Sequence, residues 1–427
     1  MNMDFQALVD AAGVAWESGD FDGCAACQLQ MLEMIQAHPE ILPEADTTYL
    51  QQDYMMRIIA AALFAFERGD ERLAYYYLSH FPQNVLDELG CFPEYRGTLG
   101  FLAYRTGNLA HARELLEAQV GRYPQDEMAW FHLGNTWYRM GKYQRAVAAY
   151  QEALYQKAGL QEARTNQKQA LDAMMQPASD CVPAPCEASW ELGVDAEDWE
   201  AVRRLPIFIN CRDRVECLRK LVQWLLKAGY QNLVLLDNAS TYEPLLDYYE
   251  KIRSEHVRIV RFDDNLGHKA VWESGILEHL SIGTPYVYTD PDVLPAESCP
   301  KKFLQEFVRV LAAHPMIRKV GADLRVSDIA APHRKRMQES KPHFCRVPLC
   351  EGEDISYFAN IDTTFALYRN VRFYHRGPSI RMAGRYEFLH LPWYYEAGHI
   401  PKDEQYYFNH AINVSTTKYF MEHPEKS

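Results

Sequence analysis

Two carboxylates one residue apart, Asp290 and Asp292, close an apolar, β-branched and aromatic run, Tyr286-Val-Tyr-Thr-Asp-Pro-Asp-Val-Leu-Pro295. The composition of that run predicts a buried strand. In extended backbone, residues i and i+2 point to the same side, so this spacing turns both carboxylates on one target. A hard divalent cation is the target such a pair suits. Mg²⁺ takes one or two protein carboxylates and completes its shell with waters and substrate phosphates, so the pair also suggests a diphosphate. The same tripeptide is good turn chemistry, because Pro fixes φ and Asp bonds its own backbone. The elements upstream separate the two readings.

Residues 199–427 alternate short apolar strands with amphipathic helices, the pattern of a mostly parallel α/β sheet. Strands are expected at 206–210, 232–236 and 257–260, before the aspartate run, and at 320–324 after a helix over 299–313. Ligands of open α/β sheets sit beyond the carboxyl ends of strands. The polar residues gather there: Asn210, Arg212, Asp213 and Arg214 after the first strand, Asp237 and Asn238 after the second, Asp290 and Asp292 after the fourth. Farther on, 357–368 reads as one buried strand carrying Asp362, and a buried carboxylate is costly unless it is paired.

Residues 1–175 carry no strand signals and are expected to form a helical repeat domain, followed by a linker over 176–198 with three prolines in its first half. Trp130, Leu133, Gly134, Trp137, Gly141, Ala146, Tyr150 and Ala153 recur at the spacings of a helix–turn–helix unit. Small residues at 134 and 146 let two helices approach, and Gly141 opens the turn between them. Leu99, Gly100, Gly107 and Ala112 repeat the pattern upstream, as do Ala62, Ala65, Gly69, Ala74 and Leu78, and more weakly Gly19 and Phe21. The segment resembles the tetratricopeptide repeat family, which implies a solenoid holding a protein partner, an acceptor or a second copy of the chain.

The formal charge of −14 argues against a nucleic-acid-binding surface over the whole molecule. No stretch approaches the ~18 apolar residues of a membrane span, and the N-terminus lacks a signal-peptide pattern. The ten cysteines include one isolated C-x-x-C, Cys24 and Cys27, and no second pair to complete a structural zinc site. A cytoplasmic protein with reduced thiols is the expectation.

The strand exits taken together, Asn-Cys-Arg-Asp-Arg, Leu-Leu-Asp-Asn-Ala-Ser-Thr, Asn-Leu-Gly-His-Lys-Ala and Thr-Asp-Pro-Asp-Val, resemble a nucleotide-sugar glycosyltransferase of the GT-A fold, near the family 2 type. A dinucleotide Rossmann domain fits less well, because the first turn has no glycine. The resemblance implies a UDP- or GDP-sugar donor, a protein or glycan hydroxyl acceptor, and Mn²⁺ or Mg²⁺. It implies that Asp237 binds the base, that Asn210, Arg212 and Arg214 pack on base and ribose, and that Lys269 lies near the phosphates. Asp292 would ligate the metal, with Asp290 on the ribose or a metal-bound water. It further implies Asp362 or Asp354 as general base in an inverting reaction, or Asp362 beside the anomeric centre in a retaining one. His390 resembles the additional metal ligand of some relatives. Trp393 and Tyr394 would stack on a sugar or fill the core. Two alternatives stand beside this: a tetratricopeptide scaffold with a degenerate transferase domain, and a sugar nucleotidyltransferase.

Overall fold

The computed structural model describes residues 3–38, 44–81, 95–175, 184–187, 191–329, 347–350, 355–374, 379–395 and 400–410. The chain divides into two compact units, Met1–Trp190 and Glu191–Tyr374 with Pro378–Ser427.

The first unit is a tetratricopeptide-like helical array. Its helices are α1 (Met3–Glu17), α2 (Phe21–Ala37), α3 (Glu44–Glu67), α4 (Glu71–Ser79), α5 (Tyr95–Arg105), α6 (Leu109–Arg122), α7 (Glu127–Arg139), α8 (Tyr143–Gln156) and α9 (Gln161–Met175). The turns inside the pairs α1/α2, α3/α4, α5/α6 and α7/α8 share one device. Gly19, Gly69, Gly107 and Gly141 each take a left-handed conformation, with φ between +69° and +87°. Asp20, Asp70 and Asn108 follow three of these glycines and cap the next helix through their side chains. Close approach explains the small residues. A Cβ on Gly134 would stand 2.5 Å from the Tyr150 ring, and one on Gly100 would stand 2.7 Å from Leu116 Cγ. Trp137, Leu133, Ala146, Tyr150 and Ala153 belong to one buried cluster, as their spacing implies. The Tyr75–Tyr77 run divides its work: Tyr77 is buried, Tyr76 is exposed, and Tyr75 bonds His111 at 2.7 Å.

The second unit is mixed α/β. Its strands are β1 (Ile207–Cys211), β2 (Leu233–Asp237), β3 (Val257–Arg261), β4 (Tyr286–Thr289), β5 (Val293–Pro295), β6 (Lys319–Ala322), β7 (Val347–Cys350), β8 (Ser356–Phe358), β9 (Ala366–Tyr368), β10 (Ser379–Met382) and β11 (Phe388–His390). Nine of them form one sheet in the order β3-β2-β1-β4-β9-β6-β10-β8-β7. β1 to β4 run parallel, and β9 enters antiparallel between β4 and β6. The sheet is therefore more mixed than the strand–helix alternation implies. β5 and β11 pair antiparallel as a separate ribbon. The helices of this unit are α10 (Trp199–Val202), α11 (Val215–Ala228), α12 (Glu243–Ile252), α13 (Ala270–Glu273), α14 (Ile276–His279), α15 (Phe303–Ala313) and α16 (Lys402–His410).

One expectation is corrected. The stretch 357–368 is not one strand: β8 and β9 are separated by a bend, and Asp362 on that bend is exposed. Its carboxylate accepts a hydrogen bond from the Thr364 N–H at 3.2 Å, so it bears no burial cost. Beyond Asn265 the chain forms a 3₁₀ turn and two short helices, the second starting after Gly275 at φ +68°. Among the described residues no helix is long and apolar enough to cross a membrane. The described cysteines, Cys24, Cys27, Cys186, Cys211, Cys217 and Cys299, are all unpaired.

Candidate functional site

The carboxyl ends of β1, β2 and β4 open on a cavity of about 300 Å³. Asn210, Arg212, Arg214, Asn238, Asp290 and Asp292 line it, with Asn265, Gly267, His268, Pro291 and Tyr407 completing the wall. Each strand begins as a buried apolar run, and the polar side chains at and just after its end emerge together at one edge.

Asp213 fixes the β1 exit. It has φ +55° and is almost wholly buried, and its carboxylate accepts from the N–H groups of Thr241 and Tyr242 at 2.8 and 3.0 Å. That bond ties the loop after β1 to the loop after β2 and sets Arg212 and Arg214 on the cavity. Asn238 ties in a third loop: its amide donates to Asn210 Oδ1 at 2.7 Å and to the Gly267 carbonyl at 2.8 Å, and accepts from the Leu266 N–H at 2.9 Å.

Asp290, Pro291 and Asp292 form a turn between β4 and β5 rather than extended backbone. Both carboxylates still face the cavity. Asp290 accepts from the Thr363 hydroxyl at 2.5 Å, and its N–H donates to the Thr363 carbonyl at 3.1 Å. Burial, then the neighbouring Asp292 charge, and also Asp362, push the Asp290 carboxyl up to about 8. Asp362 precedes Thr363, the residue that bonds Asp290, so the exposed carboxylate is one position removed from the site.

Asp292 is buried and accepts from Arg214 Nη1 at 2.6 Å. The other end of the guanidinium donates to Glu404 at 2.6 Å, and its face lies 4.0 Å from the centre of the Tyr407 ring. Burial opposes the Arg214 charge, but Asp292 and Glu404 outweigh it and hold the guanidinium firmly protonated. Burial raises the Glu404 carboxyl to about 7 against the pull of Arg214, with Asp292 adding to the rise. His390, brought in by the β5–β11 ribbon, places Nε2 3.5 Å from Asp292 Oδ2.

The other expected site residues sit as follows. Asp237 is fully buried away from the cavity wall, with its carboxylate accepting from Tyr249 at 3.1 Å and Arg261 at 2.9 Å. Lys269 is half-buried, its ammonium 5.5 Å from the Tyr374 ring centre, while its neighbour His268 reaches the cavity. Trp393 packs beside His390, with ring centres 4.6 Å apart. Tyr394 donates to Asp328 at 2.8 Å. Asp354 lies outside the described residues. Sequence reasoning missed Glu404 and Tyr407. The signal for them was a carboxylate and an aromatic ring three residues apart on one face of a late, otherwise polar helix.

Hard carboxylate oxygens with one imidazole nearby suit Mg²⁺ or Mn²⁺ as a donor set. Among the described residues no three His, Cys, Asp or Glu side chains are gathered closely enough to hold an ion. The guanidinium of Arg214 sits on the Asp292 oxygen that lies nearest His390.

The fold and site thus define a tetratricopeptide-like helical array and a mixed α/β unit with a polar cavity at its strand ends. A tetratricopeptide repeat family model matches residues 128–157. Among solved structures, MamA is similar at 17% identity, covering 41% of this chain and 84% of that one, with a TM-score of 0.29. The Sgt2 tetratricopeptide domain from Aspergillus fumigatus matches at 17% identity over 31% of this chain and 91% of its own, TM-score 0.26. A Thermobaculum terrenum O-GlcNAc transferase mutant matches at 18% identity over 52% of this chain and 42% of its own, TM-score 0.25. Comparison with curated proteins gives no match.

Proposed function

We propose that the α/β unit is a GT-A-type glycosyltransferase moving a sugar from a UDP- or GDP-sugar to a hydroxyl acceptor, with the helical array holding a protein acceptor or partner. The observation that carries this reading is the pair Asp290 and Asp292 facing one cavity at the carboxyl ends of three neighbouring parallel strands. Asn210 and Arg212 offer polar contacts to the nucleoside, with Asn238 holding Asn210 in place, and Arg212 and Arg214 offer positive charge to the diphosphate. Asp292, Asp290 and His390, not gathered closely enough as they stand, would have to close on a divalent cation as Arg214 gives up the Asp292 oxygen; bound there, the cation would supply Lewis-acid stabilisation of the departing diphosphate. Asp362, exposed and next in sequence to the Thr363 that bonds Asp290, takes the acceptor proton. The acceptor oxygen then forms the new bond to the anomeric carbon. The bond from that carbon to the diphosphate breaks, and the nucleoside diphosphate leaves with the electron pair. Asp237 takes no part in this account unless Tyr249 and Arg261 release its carboxylate.

One second reading has a specific observation behind it. Arg214 already neutralises Asp292, so the guanidinium could serve the diphosphate with no metal at all. Donor binding in EDTA separates the two, since only the Arg214 reading retains it. Sugar-nucleotide hydrolysis by wild type and Asp292→Ala, assayed over a panel of UDP- and GDP-sugars with Mn²⁺, tests the proposal. Turnover in wild type with loss in the variant is expected. No turnover and no nucleotide binding in wild type would leave the unit as a scaffold.

A further inference from the structure

The helical array contains a built site for extended backbone, and the chain's own residues fill it. Residues 184–187, Ala-Pro-Cys-Glu, belong to the first unit and run without helix or strand bonding. Asn166 reads both backbone groups of Cys186: its Oδ1 accepts from the Cys186 N–H at 2.8 Å, and its Nδ2 donates to the Cys186 carbonyl at 2.9 Å. Asn135 donates to the same carbonyl at 3.4 Å. Both asparagines are fully buried, and Asn135 Oδ1 is held by the Tyr150 hydroxyl at 2.7 Å and by Asn166 Nδ2 at 2.9 Å. The next residue, Glu187, accepts from Tyr104 at 3.0 Å and pairs with Arg105 at 3.4 Å. The residue before, Pro185, is buried.

Buried amides inside helices are costly unless every donor and acceptor is met. Here the array meets part of that need itself, through Tyr150 and the Asn135–Asn166 pair, and the backbone of Cys186 meets the rest. An amide that bonds N–H and C=O of one residue does what a neighbouring β-strand does, and it is blind to the side chain there. Selectivity falls to the flanks, where the array buries a proline on one side and pairs a carboxylate on the other.

We propose that Asn135, Asn166, Tyr104 and Arg105 form a binding site for an extended partner segment of the pattern Pro-x-Glu, and that residues 184–187 occupy it as an internal stand-in the partner displaces. A tethered occupant acts at millimolar effective concentration, on the order expected for short linkers, so the site is masked in the resting chain. This deepens the partner-binding reading of the array and is independent of sugar transfer, because the test contains no nucleotide.

The test uses the full chain and a fluorescent peptide copying residues 182–190, followed by anisotropy in reducing buffer. The double substitution Pro185→Gly with Glu187→Ala loosens the internal segment. That variant is expected to bind the peptide at least about tenfold more tightly than wild type does. Replacing the glutamate of the peptide with alanine should weaken binding by a similar factor, and Asn166→Ala added to the loosened chain should abolish it. The proposal is overturned if the loosened chain stays folded by circular dichroism yet binds no peptide at 1 mM, a concentration on the order of the tether's own. It is equally overturned if the alanine peptide binds as well as the original. It is also overturned if loosening the segment unfolds the array, because residues 184–187 are then a structural staple.

Discussion

Asp292 meets two cations' worth of demand with one carboxylate: Arg214 holds it now, and the proposed metal would compete for the same oxygen. Asp290 beside it is protonated at neutral pH for two reasons, burial and the charge of Asp292. Glu404 follows the same rule with its value near 7. Each keeps its proton in the folded chain over a range where the unfolded chain, with carboxyl values of roughly 4, has lost it. The folded state binds more protons in that window, so stability falls as pH rises from about 4 to about 8 and levels off above. Asp290→Asn removes one of these groups. A flatter dependence of melting temperature between about pH 5 and 8 in EDTA is expected, with a higher melting temperature than wild type at pH 8. An unchanged slope would mean that Asp290 is already ionised. The same protons must leave when a cation binds, so Mn²⁺ affinity, read by titration calorimetry, should rise across this window.

At the scale of elements, the repeat pairs are tuned by close approach. Gly134→Ala drives a methyl into the Tyr150 ring, and the ring has to shift within a buried cluster that also bonds Asn135. Such overpacking costs about 1–3 kcal/mol, which urea unfolding followed by far-UV circular dichroism would measure. Gly141→Ala meets no atoms but must hold φ +69°, for a cost of about 1 kcal/mol. The glycine at each turn and the small residues at helical spacing were legible in the sequence because they are local. β1 to β4 were legible for the same reason, since each apolar run ends in polar residues. The bend at Asp362 and the β5–β11 ribbon were not. They are set by pairing between segments roughly a hundred residues apart or by insertion of β9 between two strands, and no local pattern encodes either.

At the scale of the whole chain, the site draws on segments far apart in sequence. Arg214 reaches Asp292 across 78 positions and Glu404 across 190. Strand-end logic located the first pair, whereas nothing near Glu404 marked it as a partner of the β1 exit. Two separate cores lead to a further expectation: Gly134→Ala should lower the unfolding transition of the array while leaving the nucleotide response of the α/β unit intact, as followed by calorimetric scanning with and without ligand. The most direct test of the central claim is the melting temperature of the full chain with UDP and with GDP, each with Mn²⁺ or EDTA, in wild type and Asp292→Ala. A ligand at about 100 times its Kd stabilises by about 2.7 kcal/mol, so a rise on the order of 5–10 °C is expected with nucleotide and Mn²⁺ in wild type and none in the variant. Wild type that melts at one temperature under all four conditions would contradict a nucleotide-sugar site at Asp290 and Asp292.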